Sequence, residues 1–157
     1  MENHGIDVRQ RRAVVREKML AMQALWSQEE ADFHGDFVSF EKSWMWPKPI
    51  QQPRPRVLIG GAPGPKLFAH VAEYADGWLP IGGGGIKAAL PQLRSALEEN
   101  GRSLEDVQVV PMGVFPSAEK LDYYRDLGVT EAVLRLPGGG RDEVMPVLDD
   151  YARYLRA

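Results

Sequence analysis

The 157-residue chain contains no cysteine. That removes disulfides, thiolate nucleophiles and cysteine metal ligands from its chemistry, and it sets a reducing cytoplasm as the expected compartment. No stretch approaches the 18 or so consecutive apolar residues of a membrane helix, so no membrane span is expected. The opening MENHGIDVRQRR has no apolar core behind a basic start, so no targeting or cleavage segment is expected either. Runs of five like charges are also missing. With 19 Lys+Arg against 22 Asp+Glu the formal net charge is −3, a balance that argues against a nucleic acid or an anionic membrane as the main partner. Histidine is scarce: His4, His34 and His70 have no metal-ligand spacing, and no metal is expected. What remains, with 44% hydrophobic residues, is the composition of one globular domain able to bury a core. Glycine and proline are plentiful, at 16 and 12 residues, above average usage. The glycines gather at 60–64, 82–85 and 138–140.

Over residues 8–26 the apolar positions Val15, Met19, Met22 and Trp26 follow a helical i, i+4, i+7, i+11 stripe, with Asp7 as the expected N-cap. The stripe reads as core or as half of an interface. Residues 27–55 form an insertion with a short hairpin expected over Phe33 to Phe40, two tryptophans (Trp44, Trp46), and prolines at 47, 49, 53 and 55 that favour extended backbone.

After Pro55 the text becomes regular. Apolar, β-rich runs at Arg56–Ile59, Trp78–Ile81, Val107–Phe115 and Glu131–Leu136 are each followed by a helical pattern. The first helix has Gly64 and Pro65 at its start and Phe68, Val71, Ala72 and Ala75 on one face. The second carries Ile86, Leu90, Leu93 and Leu97, with Pro91 expected in its first turn and Asn100-Gly101 as its stop. The third is capped by Ser117, and the last carries Val144, Val147, Leu148, Tyr151 and Leu155. Strand-helix repeated four times over 56–157 predicts a parallel sheet, and in that architecture ligands meet the carboxyl ends of the strands. Three of the four strands end in glycine turns, which places the glycine excess at that face.

Gly60-Gly61-Ala62-Pro63-Gly64-Pro65-Lys66 invites comparison with a phosphate loop, because glycines let backbone amides approach a phosphate and the following helix points its positive end at it. It is not a P-loop: Pro65 stands between Gly64 and Lys66, and Leu67 stands where Ser or Thr would bind magnesium. Nor do 60–65 or 82–87 carry three glycines at the offsets of the dinucleotide fingerprint. Two readings stay open at this point: a generic site for an anionic group, or tight turns that need positive φ.

The run Pro55 to Lys66 (PRVLIGGAPGPK), followed by Ala72-Glu73-Tyr74-Ala75-Asp76-Gly77-Trp78-Leu79-Pro80, resembles the C-terminal half of the luciferase-like monooxygenase family, and within it the branch that uses the deazaflavin coenzyme F-420. Met1 to Asp7, Ala24-Leu25-Trp26-Ser27, Phe33-His34-Gly35 and Pro47-Lys48-Pro49-Ile50-Gln51 resemble upstream segments of the same proteins in the same order. The resemblance implies a partial (β/α)8 TIM barrel that binds FMN or coenzyme F-420 at its C-terminal face and takes part in hydride transfer, in some members with oxygen. It also implies a cofactor phosphate against Gly60, Gly61, Ala62 and Gly64. The turns 82–85 and 138–140 would share that rim. Arg135 would face an anionic substrate or be an ordinary barrel or surface arginine.

A full barrel has eight strands and about 250 residues, and this sequence supplies four strand-helix units, one helix and an insertion. The family's ring contacts and acid-base residues belong to the other half, so no catalytic residue is assigned and the substrate is open. Two functional classes follow: a luciferase-like oxidoreductase completed by a complementing N-terminal half or a second copy, and a non-catalytic half-barrel that binds phosphate or self-associates. A self-contained flavodoxin-like sheet is a third. Open strand edges predict a homo-oligomer. Of the remaining residues, His34 reads as a loop histidine and His70 as a helix-edge residue. Trp44 and Trp46 read as insertion packing or an aromatic lid, and Trp78 as cofactor wall or core.

Overall fold

The structure, a computed structural model, describes residues 7–155; His4 and the Met1–Ile6 part of the resemblance lie outside the described residues. The chain forms two compact units that meet in sequence at Arg56 and Val57.

The first unit holds a helix, α1 (Arg11–Ser27), and an antiparallel hairpin of β1 (Ala31–His34) and β2 (Ser39–Ser43). Asp7 is not the N-cap. Gln10 holds that position, and Asp7 instead closes the turn before the helix, its Oδ1 accepting from the Arg9 amide at 2.8 Å and its carbonyl from the Gln10 amide at 3.0 Å. The apolar stripe is not core either: Val15 is 50% exposed and Met22 is exposed. The buried residues of α1 are Glu17 and Ala21. Periodicity ranks positions by hydrophobicity and so passes over a carboxylate that is buried because it is fully employed.

Glu17 accepts hydrogen bonds from the backbone amides of Asp36 (3.1 Å), Phe37 (2.7 Å) and Val38 (3.1 Å), fastening the hairpin turn to the helix. Gly35 fits beneath it because a Cβ there would lie 2.3 Å from Glu17 Oε2. The Phe37 amide, with those of Val38 and Asp36, holds the Glu17 carboxyl below the ordinary glutamate range. A carboxylate whose folded-state pKa is lowered contributes stability above its unfolded value and loses that contribution as pH falls through the lowered value. Protection of the Asp36, Phe37 and Val38 amides in hydrogen exchange is therefore expected to fall on acidification below the ordinary glutamate value of about 4.3. In Glu17→Gln it should be weak at every pH. Protection that stays flat through this range in the parent chain would remove Glu17 as the fastener.

The second unit runs β3 (Leu58–Gly60), α2 (Pro65–Tyr74), β4 (Gly77–Leu79), α3 (Ile86–Glu98), a short 3-10 turn (Leu104–Asp106), β5 (Gln108–Val109), β6 (Met112–Val114), α4 (Ala118–Asp126), β7 (Val133–Leu134) and α5 (Arg141–Ala152). Every strand pair in it is parallel: β3 with β4, β4 with β5, and β6 with β7. The strand expected over 107–115 is split at Val110-Pro111, because proline fixes φ and has no N–H to give the ladder. The ladder resumes beyond it, with Met112 N donating to Pro80 O at 2.8 Å and a parallel bridge between Ile81 and Met112. Strand order thus follows chain order, without the reversal that defines a doubly wound sheet.

Two further expectations shift. Pro91 sits at the sixth residue of α3, in its second turn, because the helix already starts at Ile86 behind left-handed Gly85 (φ 84°). The run 131–136 pairs only at Val133–Leu134. One core joins α2, α3 and α4 to the sheet through Phe68, Val71, Leu93, Leu97 and Tyr124 against Trp78, Val109 and Val114. Arg102 ties the unit further: its Nη1 donates at 3.0 Å to each of the Val71, Ala72 and Ala75 carbonyls at the end of α2, completing acceptors that every helix C-terminus leaves open.

Candidate functional site

In a parallel sheet all strand carboxyl ends lie at one end, so the turns after β3 and β4 share a rim. The opposite end is devoted to holding the strands together. There Asp76 Oδ2 accepts from the Val57 amide at 2.7 Å, the Asp76 amide donates to Val57 O, and the Gln108 amide donates to Asp76 O. The Asp76-Gly77 pair is therefore the clamp of the three strand starts. A cleft of about 510 Å³, lined by Leu121, Tyr124, Val129, Thr130, Leu134 and Tyr154 among others, also includes the residues that lead into β7. None of the residues of the 60–64 turn lines it.

At the rim, the turn 60–64 carries β3 into α2. Gly61 is fixed twice: its amide donates to Leu79 O at 3.4 Å, and its carbonyl accepts from the indole N–H of Trp78 at 2.9 Å. Trp78 is itself 1% exposed and packs edge-on against Phe68, ring centroids 5.1 Å apart. It is a core residue whose polar tip fixes the turn, a combination that residue type and spacing do not announce. α2 has Pro65 at its first position and no side-chain cap, so the positive end of the helix and the Lys66 amide face the turn.

The two glycine turns differ in why they need glycine. At 82–85 the backbone demands it, since Gly82 (φ 65°) and Gly85 (φ 84°) are left-handed. Gly83 is also closed over by the Tyr124 ring, whose hydroxyl oxygen would lie 1.5 Å from a Cβ. Burial pushes the Tyr124 phenol up from its ordinary pKa. At 60–64 the backbone demands glycine only at Gly61 (φ 152°), while Gly60 and Gly64 have no such φ. A Cβ on Gly60 would make only ordinary contact, at 3.6 Å from Leu79 O, and one on Gly64 would meet nothing within 4 Å. Neither position needs glycine for folding, and both leave space beside the helix end. Gly60, Gly61, Ala62 and Gly64 thus lie on one turn before α2, in which the Gly61 amide is taken by Leu79 O and Pro63 and Pro65 have no N–H to offer.

The other candidates fall as follows. Arg135 is exposed at the end of β7, its guanidinium carbon 5.7 Å from the centroid of the Phe115 ring. The 138–140 turn leads into α5 through Gly140. His70 pairs with the Tyr74 hydroxyl at 2.9 Å along α2. In the first unit, His34 lies near Ser39 and Asp32. Trp44 and Trp46 are both exposed, and Lys48 stands 5.4 Å from the Trp46 ring centroid while donating to the Leu25 and Gln28 carbonyls. Among the described residues no helix is long and apolar enough to cross a membrane, and no three His, Asp or Glu side chains converge as a metal site.

Consecutive parallel strands, helices packed on one face and an open glycine turn at the carboxyl end define an α/β protein. More specifically, the chain belongs to the luciferase-like monooxygenase family, whose model matches residues 1–131. An uncharacterised Mycobacterium tuberculosis protein is 37% identical over 98% of this chain and 54% of its own length, so the chain spans about half of that relative. An FMNH(2)-dependent dimethylsulfone monooxygenase from Pseudomonas putida is 31% identical over 63% of this chain and 27% of its own. Among solved structures, an F-420-dependent secondary alcohol dehydrogenase in complex with an F-420–acetone adduct superposes with a TM-score of 0.58. It is 20% identical and covers 76% of this chain and 38% of that chain.

Proposed function

We propose that this chain is the C-terminal half-barrel of a flavin- or F-420-dependent oxidoreductase or monooxygenase, working in the cytoplasm. Its turn Gly60-Gly61-Ala62-Gly64 holds the cofactor's phosphate. The observation that carries the reading is that Gly60 and Gly64 are glycines without a folding reason, beside an uncapped helix start. Family membership supplies the cofactor class, since relatives depend on reduced FMN and on F-420.

The residues fit such a group. The Ala62, Gly64 and Lys66 amides would donate to phosphate oxygens, the Gly61 amide being held by Leu79 O, while the end of α2 adds its partial positive charge and Trp78 keeps the Gly61 carbonyl turned away from the anion. The bound cofactor supplies a ring that accepts or donates hydride. Ring contacts, acid-base residues and the substrate pocket belong in this reading to four further strand-helix units, so no residue here is assigned a catalytic role.

Two measurements test this. The purified chain is expected to be colourless, and tight stoichiometric binding of FMN or F-420 with turnover by this chain alone would overturn the half-barrel reading. When complemented with the N-terminal half of the Mycobacterium tuberculosis relative, FMN is expected to bind. Gly64→Asp, which sets a carboxylate at the helix start, is expected to weaken FMN by at least about tenfold, or 1.4 kcal/mol. Riboflavin, which lacks the phosphate, should be unaffected. Equal losses for both ligands would exclude the turn as the phosphate site.

A further inference from the structure

The polar end of Tyr124 has no work in the fold. The residue is 4% exposed and belongs to the core of the second unit, and no group among the described residues hydrogen-bonds its hydroxyl. No side-chain oxygen shut off from solvent lacks a partner among those residues, so the Tyr124 oxygen is reached by solvent. A hydroxyl taken largely out of water without a partner costs stability, and phenylalanine would fill the same slot. Packing therefore accounts for the ring and not for the oxygen. Its position does. α4 starts at the carboxyl end of β6, and helical side chains lean toward the start of their helix. From the seventh residue of α4 the ring reaches up to the rim, where its oxygen lies 1.5 Å from the position of a Gly83 Cβ, about one carbon–oxygen bond length. Gly83 has no left-handed φ, so its backbone would accept a serine. Residue 83 is glycine because α4 already supplies the hydroxyl that a serine would carry.

The turn around that hydroxyl is open. α3 starts behind Gly85 with no side-chain cap and no acidic residue in its first turn, and its first amides precede the bond that Ala89 N makes to Gly85 O. A Cβ on Gly84 would meet nothing within 4 Å, so the space beside the helix start is free. The turns after β6 and β7 are instead answered from within the chain. Ser117 caps α4, with Glu119 in its first turn, while Asp142 and Glu143 stand in the first turn of α5, the Glu143 carboxyl 2.5 Å from the position of a Gly139 Cβ. Going beyond the 60–64 turn, we propose that the 82–85 turn is a second oxyanion site on the same rim, with the Tyr124 hydroxyl as its side-chain donor and the first amides of α3 as its backbone donors. Burial keeps the phenol protonated, so the hydroxyl has a proton to give. The ligand group is a phosphate or a carboxylate, carried by the cofactor or by the substrate, and its oxygens meet the same donors in either case.

Inorganic phosphate titrated into the full chain, against sodium chloride of equal ionic strength and with amide NMR as the readout, is expected to move the amides from Gly83 to Ala88. In Tyr124→Phe, which keeps the ring, that binding should weaken roughly tenfold, with the Gly60 to Lys66 amides responding as in the parent and the urea midpoint not lowered. Tyr124→Leu combined with Gly83→Ser moves the hydroxyl from α4 onto the turn itself, and should bind phosphate there more tightly than Tyr124→Leu alone by a similar factor. A purely structural tyrosine gives no such rescue. Shifts confined to 60–66 would overturn this site and leave the 60–64 turn standing, and shifts at neither turn would remove both. Equal phosphate affinity in Tyr124→Phe would remove Tyr124 as the donor. The protein complemented with the N-terminal half of the Mycobacterium tuberculosis relative then separates the two sources. Weaker FMN with unchanged riboflavin in Tyr124→Phe assigns the turn to the cofactor's phosphate. Unchanged FMN, with inorganic phosphate still moving the 83–88 amides of the FMN-bound protein, assigns it to an anionic substrate. Unchanged FMN and no response to phosphate would overturn the site.

Discussion

Gly77→Ala is expected to destabilise the second unit strongly. Gly77 is the first residue of the central strand β4, paired with Leu58 on one side and Gln108 on the other. A Cβ at this position would lie 2.3 Å from the Gln108 carbonyl oxygen, 3.1 Å from its carbonyl carbon and 2.7 Å from Leu58 Cδ2. The leucine tip can turn aside. The carbonyl belongs to the neighbouring strand, and β5 cannot retreat without breaking the Gln108 amide bond to Asp76 O and, through Asp76, the tie to Val57. The added methyl thus works against the clamp on three strand starts, and a cost of about 3–5 kcal/mol is expected. That is a large share of the stability of a domain, about 5–15 kcal/mol. Urea unfolding followed by circular dichroism measures it. Gly138→Ala, where a Cβ meets nothing within 4 Å, should stay within about 0.5 kcal/mol of the parent. A Gly77→Ala chain that unfolds at the parent's midpoint would mean that β4 and β5 do not approach as closely as described.

This clamp shows where reading the sequence stops. Asp76-Gly77 reads as a turn because both residues favour turns, and the sequence has no means of showing that the aspartate caps a strand two segments away. The strand-helix alternation was legible because Val57–Ile59, Trp78–Ile81 and the helical stripes of α2 and α3 are bounded by glycine and proline, signals that act within a few residues. Glu17, Arg102 and Tyr124 were not legible. Each serves a partner 19 to 41 positions away in sequence: the hairpin amides, the α2 carbonyls and the Gly83 backbone. The α1 stripe misled for the related reason that an amphipathic pattern says which face is apolar and not whether its own unit covers it. At the candidate site the glycine cluster itself was plain. What separates Gly60 and Gly64 from Gly82, Gly83 and Gly85 is the backbone angles of Gly82 and Gly85 and the tyrosine over Gly83, and composition carries neither.

Trp78→Phe and Trp78→Ala are expected to separate packing from turn positioning. The indole is among the largest fully buried side chains, and truncation to alanine removes its contact with Phe68 and leaves a cavity in the core, an expected cost of about 3–5 kcal/mol. Phenylalanine keeps an aromatic ring in the slot and loses the N–H that holds Gly61 O at 2.9 Å. An acceptor left without its donor costs about 1–3 kcal/mol. The carbonyl is then free to rotate, and it belongs to the turn proposed to face the phosphate, where a stray carbonyl oxygen repels an anion. In the complemented protein Trp78→Phe is therefore expected to weaken FMN by about tenfold, 1.4 kcal/mol, with riboflavin unchanged and the urea midpoint only modestly lowered. A purely structural tryptophan would lower stability and treat the two ligands alike, because the only group that distinguishes them is the phosphate. A ligand-selective loss in a chain that still folds can arise only through the geometry of the Gly61 turn, since Trp78, buried to 1% exposure, has no surface to offer a ligand directly.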